Sequence, residues 1–129
     1  MFKRIDHVEL YTADVERAVR FYTEVLGFTV RSRAVVPNGP HIVYLDLGGT
    51  TLELLTTPQA VLEPASSGNR LGYRMMALEV QSMEGALGYL AAKGVQPAWG
   101  PVTRPDYARA EIRDPDGNPI ELRHWIKPA

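Results

Sequence analysis

Cysteine is absent from this sequence of 129 residues, so disulfide bonds and thiolate metal sites are excluded. Long hydrophobic runs are also missing, and no stretch approaches the roughly 20 apolar residues of a membrane-spanning helix. Neither sign of charge dominates, because 14 lysine and arginine residues are balanced by 15 aspartate and glutamate residues. That balance gives no basic surface for nucleic acid. We therefore expect no membrane partner and no nucleic-acid partner.

The composition that remains is that of a globular protein, with 45% hydrophobic and 22% charged residues. The length suffices for one domain with a real core and is too short for two independent ones. The first residues enter an alternating pattern directly and lack the apolar stretch of a signal peptide. These features predict one soluble, cytoplasmic domain.

An internal repeat organises the chain. Sliding the sequence by 68 residues aligns a strand start, a helix cap and a strand carboxylate, namely His7 with Met75, Asp14 with Ser82, and Glu53 with Glu121. The same offset aligns two pairs of turn residues, Asp46 with Asp114 and Gly49 with Gly117. Because one offset relates features of different kinds, we interpret the chain as two copies of one unit.

Each copy has the pattern of a strand, a helix and three strands. In the first copy, Asp14 is a good helix N-cap and Gly27 a good C-cap, and the predicted strands are 4–11, 28–35, 41–47 and 50–56. In the second copy, Ser82 and Gly94 bound the helix, and the predicted strands are 73–80, 95–99, 108–113 and 119–125. The Pro-, Ser- and Gly-rich segment 58–72 is predicted to link module 1 (about 4–57) to module 2 (about 73–125) within a single domain.

Alternation along these strands separates two faces. The apolar face, which a helix can cover, carries Val8, Leu10, Leu52, Leu54, Met76, Leu78, Val80, Ile120 and Leu122. The opposite face is too polar for a dry core and carries His7, Glu9, Glu53, Met75, Glu79, Glu121 and Arg123. We therefore predict an α+β fold in which two βαβββ modules form a curved mixed sheet around a cup-shaped site.

Three residues of the polar face have the chemistry of metal ligands. A twofold relation between the modules would bring His7, Glu53 and Glu121 together. One imidazole and two carboxylates can hold Zn²⁺, Ni²⁺, Mn²⁺ or Fe²⁺ and leave positions open for water or substrate. The alternative for each is a strand histidine with a hydrogen-bonded neighbour, or a carboxylate paired with a cation such as Arg123.

The motifs resemble the vicinal oxygen chelate superfamily, which includes glyoxalase I, bleomycin-resistance proteins and extradiol dioxygenases. Segment 7–27 is similar to the family's opening, Thr51–Leu54 to its second-ligand strand, and Asp114–Leu122 to its closing signature. The resemblance covers nearly the whole chain. It implies that His7, Glu53 and Glu121 are the first, second and fourth metal ligands.

The third ligand position departs from the family, because Met75 stands where metal-binding members carry histidine. A thioether is a poor ligand for these ions. The loss argues against extradiol dioxygenase chemistry, which needs two histidines and one carboxylate. Two other histidines are candidates to fill the gap. The strand parity of His41 leaves its direction open, whereas that of His124 directs it away from the cup.

The resemblance implies a metal-dependent, glyoxalase-like lyase or isomerase that acts beside a carbonyl through an enediolate-like intermediate. Glu121 or Glu53 would then be the general base, and Met75, Glu9, Arg123 and Tyr73 are the candidate substrate-binding residues. Two alternatives stay open. One is a metal-free small-molecule-binding protein of the bleomycin-resistance type, and the other is a metal-free enzyme that uses His7 or a glutamate as base. Chains of this size in the family are commonly homodimers, and sequence does not decide whether one cup uses one chain or two.

Overall fold

The computed structural model describes residues 1–56 and 71–128. The chain divides into two compact units, residues 1–63 and 64–129. Each unit contains four strands and one α-helix in the predicted βαβββ order, which confirms the α+β fold of two repeated modules. The predicted linker 58–72 lies outside the described residues up to position 70.

The bounds of the elements follow the repeat closely. The first unit contains β1 (Val8–Tyr11), α1 (Val15–Arg20), β2 (Thr29–Val35), β3 (His41–Leu47) and β4 (Thr50–Thr56). The second unit contains β5 (Met76–Glu79), α2 (Met83–Ala92), β6 (Trp99–Thr103), β7 (Tyr107–Arg113) and β8 (Pro119–Trp125). No helix among the described residues is both long and apolar enough to cross a membrane.

The two sheets have the same strand order, β1-β4-β3-β2 in the first unit and β5-β8-β7-β6 in the second. The first and last strands of each unit run parallel and pair directly. Val8 is opposite Leu52 in one ladder, and Met76 is opposite Ile120 in the other. Both partners are therefore displaced by the same 68 residues, so the two parallel ladders have the same register.

The first helix begins as its sequence predicts. The side chain of Asp14 accepts a hydrogen bond from the backbone N–H of Arg17 at 3.1 Å. After α1 the helix widens into a π-helical turn, Phe21–Val25, where the hydroxyl of Thr23 donates to the carbonyl of Val19 at 2.7 Å. Gly27 ends the helix at a φ of 83°, a conformation that favours glycine.

The second helix is also capped by a side chain, which here is a serine. The hydroxyl of Ser82 accepts from the backbone N–H of Gly85 at 3.1 Å. The backbone N–H of Met83 donates to Nδ1 of His124 at 3.3 Å, which ties the start of α2 to β8. His124 therefore lies on the helix-facing side of the sheet, as its parity predicts.

One face of each sheet is packed against its own helix. In the first unit α1 lies on β3 and β4, and in the second α2 lies on β8. The residues that are nearly inaccessible to solvent include Ala18, Tyr22, Val43, Leu45, Leu52, Leu54, Ala110, Ile112, Ile120 and Leu122. The strand residues among them alternate along the chain. The predicted helix-facing parity of β4 and β8 therefore describes the core, whereas Val8, on the edge strand β1, keeps 47% exposure.

Three strands differ from their predicted bounds by more than one residue. Only the last four residues of segment 4–11 pair, and segment 73–80 pairs only at 76–79. The strand predicted at 95–99 lies instead at Trp99–Thr103. Pro97 has no N–H to donate, and pairing with β7 begins at Ala98, whose N–H donates to the carbonyl of Glu111 at 2.7 Å.

Gly100 bends β6 where the sequence suggests that the strand has ended. Its φ is 79°, and an added Cβ would lie 3.0 Å from the carbonyl oxygen of Arg109. The ladder to β7 shifts between Trp99 and Val102, which is a β-bulge. Glycine therefore allows β6 to continue past a position where a side chain would collide with β7.

The turn between the last two strands is one residue longer in the second unit than in the first. Gly48 and Gly49 connect β3 to β4, and both have positive φ, as predicted for a hairpin. The equivalent turn of the second unit is longer, because the N–H of Asp114 pairs with the carbonyl of Asn118 across three residues. Asp46 lies within β3, whereas Asp114, its match in the repeat, lies in the turn.

Candidate functional site

The first unit brings three possible metal ligands together. His7 directly precedes β1, Glu9 lies in β1, and Glu53 is the parallel-ladder partner of Glu9 in β4. One ligand atom from each of the three lies within 4.8 Å of the other two. We call this group of three the acidic site. It is the place in the first unit where an imidazole and two carboxylates can share one cation.

His7 is held in the acidic site by a neighbour on each side. Its Nδ1 lies 2.8 Å from Oδ2 of Asp6, and its Nε2 lies 3.4 Å from Oε2 of Glu9. The hydrogen bond to Asp6, together with that to Glu9, raises the pKa of His7 above 6.5, against a smaller opposing effect of desolvation. An Nδ1 bonded to a carboxylate leaves Nε2 directed at the acidic site, the arrangement that orients a histidine ligand.

Glu53 is the buried member of the acidic site, with 5% exposure. Burial raises its pKa above 4.5, and Glu9 raises it further, whereas a hydrogen bond from Tyr44 lowers it. The hydrogen bond with Glu53 in turn lowers the pKa of Glu9. Of the two carboxyl groups, Glu53 is therefore the one that binds a proton more readily, and Glu9 is the one that accepts a hydrogen bond from it. A divalent cation would replace that proton.

Tyr44 extends the acidic site along the sheet, because it is the ladder partner of Glu53 in β3. Its ring contacts that of His7 edge-on at 6.0 Å, and the guanidinium of Arg31 lies 5.3 Å from the ring centroid. The hydrogen bond to Glu53 raises the pKa of Tyr44 above 10.0. Tyr44 is therefore a neutral donor to the buried carboxylate.

The equivalent position of the second unit has different neighbours. Oε1 of Glu121 accepts from Nε of Arg109 at 2.8 Å, and Oε2 accepts from Nε of Arg123 at 2.9 Å. A second carboxylate, Glu111, accepts from Nη2 of Arg109 at 3.0 Å. We call Arg109, Glu121 and Arg123 the arginine cluster. Both oxygens of Glu121 are engaged by cations before any ligand arrives.

Aromatic rings cover the guanidinium groups of the arginine cluster. The guanidinium carbon of Arg109 lies 4.7 Å from the ring centroid of Trp99. That of Arg123 lies 4.4 Å from Tyr107 and 4.7 Å from Trp125. Such contacts hold a guanidinium in place and shield its faces from water.

The remaining predicted residues lie at or before the start of β5. Met75 is half-buried and directly precedes Met76, as His7 precedes Val8. Tyr73 is fully exposed, at 109%.

His41 shares its strand parity with the buried Val43, so it lies on the face of β3 opposite to Tyr44.

Two of the three predicted metal ligands, His7 and Glu53, therefore come together within one unit. Glu121 lies in the other unit, in the arginine cluster. The sequence interpretation assigned Glu9 to substrate binding. Strand parity places Glu9 on the same face as His7 and Glu53, so the sequence contained part of the signal for this pair.

The sequence profile of the Glyoxalase/Bleomycin resistance protein/Dioxygenase superfamily matches residues 4–122. The chain belongs to this superfamily. The match begins before β1 and ends within β8, and so includes both modules. It confirms the family that the motifs at both ends of the chain indicate.

Curated relatives match the chain over different lengths. A virulence protein of Salmonella typhimurium is 27% identical over 128 residues, which span 95% of this chain and 85% of the relative. Human mitochondrial methylmalonyl-CoA epimerase is 38% identical over 53 residues, but these span only 40% of this chain and 30% of the epimerase.

Solved structures agree with the fold. A glyoxalase family protein from Enterococcus faecalis superimposes with a TM-score of 0.81 at 28% identity, covering 95% of this chain and 98% of the other. Glyoxalase I of Leishmania major gives 0.74 at 25% identity and covers 95% and 87%. An antibiotic-binding protein from Streptomyces gives 0.73 at 22% identity, covering 96% and 97%, and shares the fold.

The acidic site fits a divalent cation on the chemistry of its donors. Two carboxylates and an imidazole supply hard and borderline ligand atoms, and their proximity is costly unless a proton or a cation lies between them. The arginine cluster fits a cation poorly, because two guanidinium groups already compensate Glu121. The arginine cluster suits an anionic ligand better.

Proposed function

We propose that this chain is a metal-dependent, glyoxalase-like enzyme that moves a proton beside a carbonyl group of a small molecule. The observation that carries the proposal is the convergence of His7, Glu9 and Glu53 within 4.8 Å. Membership of the superfamily and the likeness to glyoxalase I of Leishmania major support the reaction class. The local similarity to methylmalonyl-CoA epimerase supports it as well.

The residues of the acidic site would bind the metal ion, and a neighbouring residue would orient one of them. His7, Glu9 and Glu53 would hold the ion. A divalent ion held there would stabilise the negative charge that develops on the carbonyl oxygen when the neighbouring carbon loses a proton. Asp6 orients His7 through Nδ1.

Glu53 is the better candidate for the general base. Burial raises its pKa above 4.5 and the carboxylate of Glu9 raises it further, which makes Glu53 a stronger base than an ordinary carboxylate. Both oxygens of Glu121 accept hydrogen bonds from Arg109 and Arg123, so neither oxygen is open to a proton of the substrate. The hydroxyl of Tyr44 would hold the carboxylate of Glu53 in place during the transfer.

Metal analysis tests the proposal first. Protein purified without added metal is examined by mass spectrometry for bound elements and titrated by calorimetry with Zn²⁺, Ni²⁺, Mn²⁺ and Fe²⁺. Loss of a residue that hydrogen-bonds to a metal ligand typically lowers metal affinity 10–100-fold. Loss of a ligand should cost at least as much, so E9Q and E53Q are each expected to lower the affinity by at least about 100-fold. The control E84Q, on the exposed start of α2, should bind as the unchanged protein does. Absence of binding for all four ions overturns the proposal.

Solvent exchange tests the reaction class. The metal-loaded protein is incubated in D₂O with methylmalonyl-CoA and, separately, with the hemithioacetal of methylglyoxal and glutathione. Incorporation of deuterium at the carbon beside the carbonyl is expected with a substrate of the right class, and E53Q should abolish it. Exchange that survives both E53Q and metal removal contradicts the mechanism.

A metal-free binding protein is the second candidate. Two observations favour it: Met75 lies at the third-ligand position, and both oxygens of Glu121 are engaged by arginines. It predicts ligand binding that chelation of metal leaves unchanged, without turnover. The metal-dependent enzyme predicts that the same treatment abolishes activity, so one chelation experiment separates the two.

We also propose that the chain forms a homodimer in the cytoplasm. Edge strand β1 exposes Val8 and Tyr11, at 47% and 59%, and its outer edge is unpaired among the described residues. An exposed apolar edge of this kind favours association with a second copy. Light scattering coupled to size-exclusion chromatography measures the mass, and a monomer at micromolar concentration would contradict the proposal.

A further inference from the structure

The arginine cluster has features that a purely structural ion pair does not need. Arg109 and Arg123 keep 18% and 22% side-chain exposure, and one carboxylate, Glu121, accepts from both. Charge-assisted hydrogen bonds to the two oxygens of a single carboxylate fix the separation of the two guanidinium groups. The pair is therefore preorganised while still in contact with solvent.

Each guanidinium also has hydrogen-bonding capacity left over. Among the described residues, Nη1 of Arg109 and Nη1 of Arg123 have no hydrogen-bond partner. No buried side-chain nitrogen or oxygen in that part of the chain lacks a partner, so these groups reach solvent. They are donors that a ligand can use without displacing Glu121.

The arginine cluster itself is positive, because two arginines and Glu121 sum to one positive charge. The other nearby carboxylate, Glu111, is shared by Arg109 and by Nη2 of Arg74 at 3.7 Å. Glu79 is the ladder neighbour of Arg123 but forms no ion pair with it among the described residues.

The aromatic rings increase the effect of that charge. Trp99, Tyr107 and Trp125 cover faces of the guanidinium groups, so the open edges are the remaining direction of approach. Shielding from water strengthens the electrostatic interaction of a charged group with a partner that arrives at the edge. A planar or tetrahedral oxyanion has the acceptor geometry that guanidinium edges recognise.

We propose that Arg109 and Arg123 form a binding site for an oxyanion, the carboxylate or phosphate of a small molecule, on the second unit. Glu121 acts in this site as the residue that positions the two arginines. The site is contained within the second unit and does not depend on metal binding by the acidic site. It therefore serves equally a substrate of the proposed enzyme or a ligand of a metal-free binding protein.

The test uses signals that originate in the site itself. The chain has two tryptophans, Trp99 and Trp125, and both lie against the arginine cluster. Indole N–H and arginine Nε–H resonances are followed by ¹H–¹⁵N NMR during titration with sodium phosphate and, separately, sodium acetate. Chelating resin removes metal beforehand, and sodium chloride keeps the ionic strength constant. Saturable shifts of the Nε–H signals of Arg109 and Arg123 are expected.

Variants establish which groups bind. R109K and R123K keep the charge and lose the guanidinium edge, and each should weaken affinity by about tenfold, as expected for one hydrogen bond to a charged group. R33K is the matched control, because Arg33 forms an ion pair with Glu16 on an exposed strand of the first unit. Circular dichroism confirms that each variant folds.

The results decide between clear alternatives. Tighter binding of phosphate identifies a phosphate-bearing ligand, and tighter binding of acetate identifies an organic acid. Shifts that do not saturate, or affinities that R109K and R123K leave unchanged, overturn the oxyanion site. An equal loss in R33K would also overturn it. Because metal is absent throughout, these outcomes are independent of the metal titrations.

Discussion

Glu53 and Glu121 occupy the same place in the two repeats, each opposite the second residue of a parallel partner strand, yet their surroundings are opposite in charge. Glu53 lies beside Glu9 and His7, and no lysine or arginine forms an ion pair with it among the described residues. Glu121 accepts hydrogen bonds from two arginines. We therefore propose opposite ligands for the two positions, a cation at Glu53 and an anion at the arginines that surround Glu121.

The burial of Leu54 predicts a large loss of stability in L54A. The side chain is 1% exposed and lies on the face of β4 that packs against α1. Its removal leaves a cavity and should cost about 2–5 kcal/mol in the free energy of unfolding, measured with urea. L71A is the control at a fully exposed leucine and should change stability by no more than about 0.5 kcal/mol. Similar values for both variants would contradict the assigned core.

The turn before β8 depends on Asp114. Its carboxylate accepts from the backbone N–H groups of Asp116 and Asn118, at 2.9 and 2.8 Å, and from Nδ2 of Asn118 at 2.9 Å. D114A leaves these donors without that partner and should lower the free energy of unfolding by about 1–3 kcal/mol. D106A, at an exposed aspartate, is the control. A stability equal to that of the control would show that the turn does not need the carboxylate.

The pKa of His7 should depend on Asp6. In the metal-free protein the imidazole titrates above 6.5, mainly because Asp6 stabilises the charged form. D6N is expected to lower the NMR titration midpoint of His7, and D106N should leave it unchanged. Because the folded-state pKa is raised, this interaction stabilises the folded protein fully below pH 6.5. The stabilisation is lost as pH rises through the folded-state pKa. A midpoint that D6N does not lower would contradict the contact.

Tyr44 should act on Glu53 in the opposite direction to burial. The hydrogen bond from Tyr44 lowers the pKa of Glu53, so Y44F should raise that pKa further above 4.5. Carboxyl-detected NMR titration of the metal-free protein measures the change, with Y73F as the control at a fully exposed tyrosine. Since protons and cations compete for Glu53, metal affinity at neutral pH should also fall in Y44F. A lowered pKa would contradict the assigned hydrogen bond.

Much of this architecture follows from the sequence, because the repeat makes the two units equivalent. Matching His7 with Met75 and Glu53 with Glu121 predicts that both units have the same strand order and the same parallel register. Strand parity then predicts that Leu54 and Leu122 are buried against a helix. The second argument uses the fixed period of a strand, which tertiary contacts do not alter.

The sequence was less informative where pairing depends on another strand. The position of β6 is set by its bulge at Gly100 and by the partner that Ala98 finds in Glu111. Likewise, Arg109 and Arg123 are far apart in sequence, and only the antiparallel register of β7 and β8 makes them neighbours. Side-chain pairing of this kind depends on distances that no local pattern contains.

The extra residue in the turn after β7 decides which residue lies opposite Glu121. It slides β7 along β8 by one residue, so Glu111, the repeat match of the buried Val43, lies on the same face as Glu121. In the first unit Tyr44 lies opposite Glu53 instead. The length of this turn therefore determines whether a phenol or a second carboxylate lies beside the buried glutamate of each unit, while both sheets still pack apolar residues against their helices.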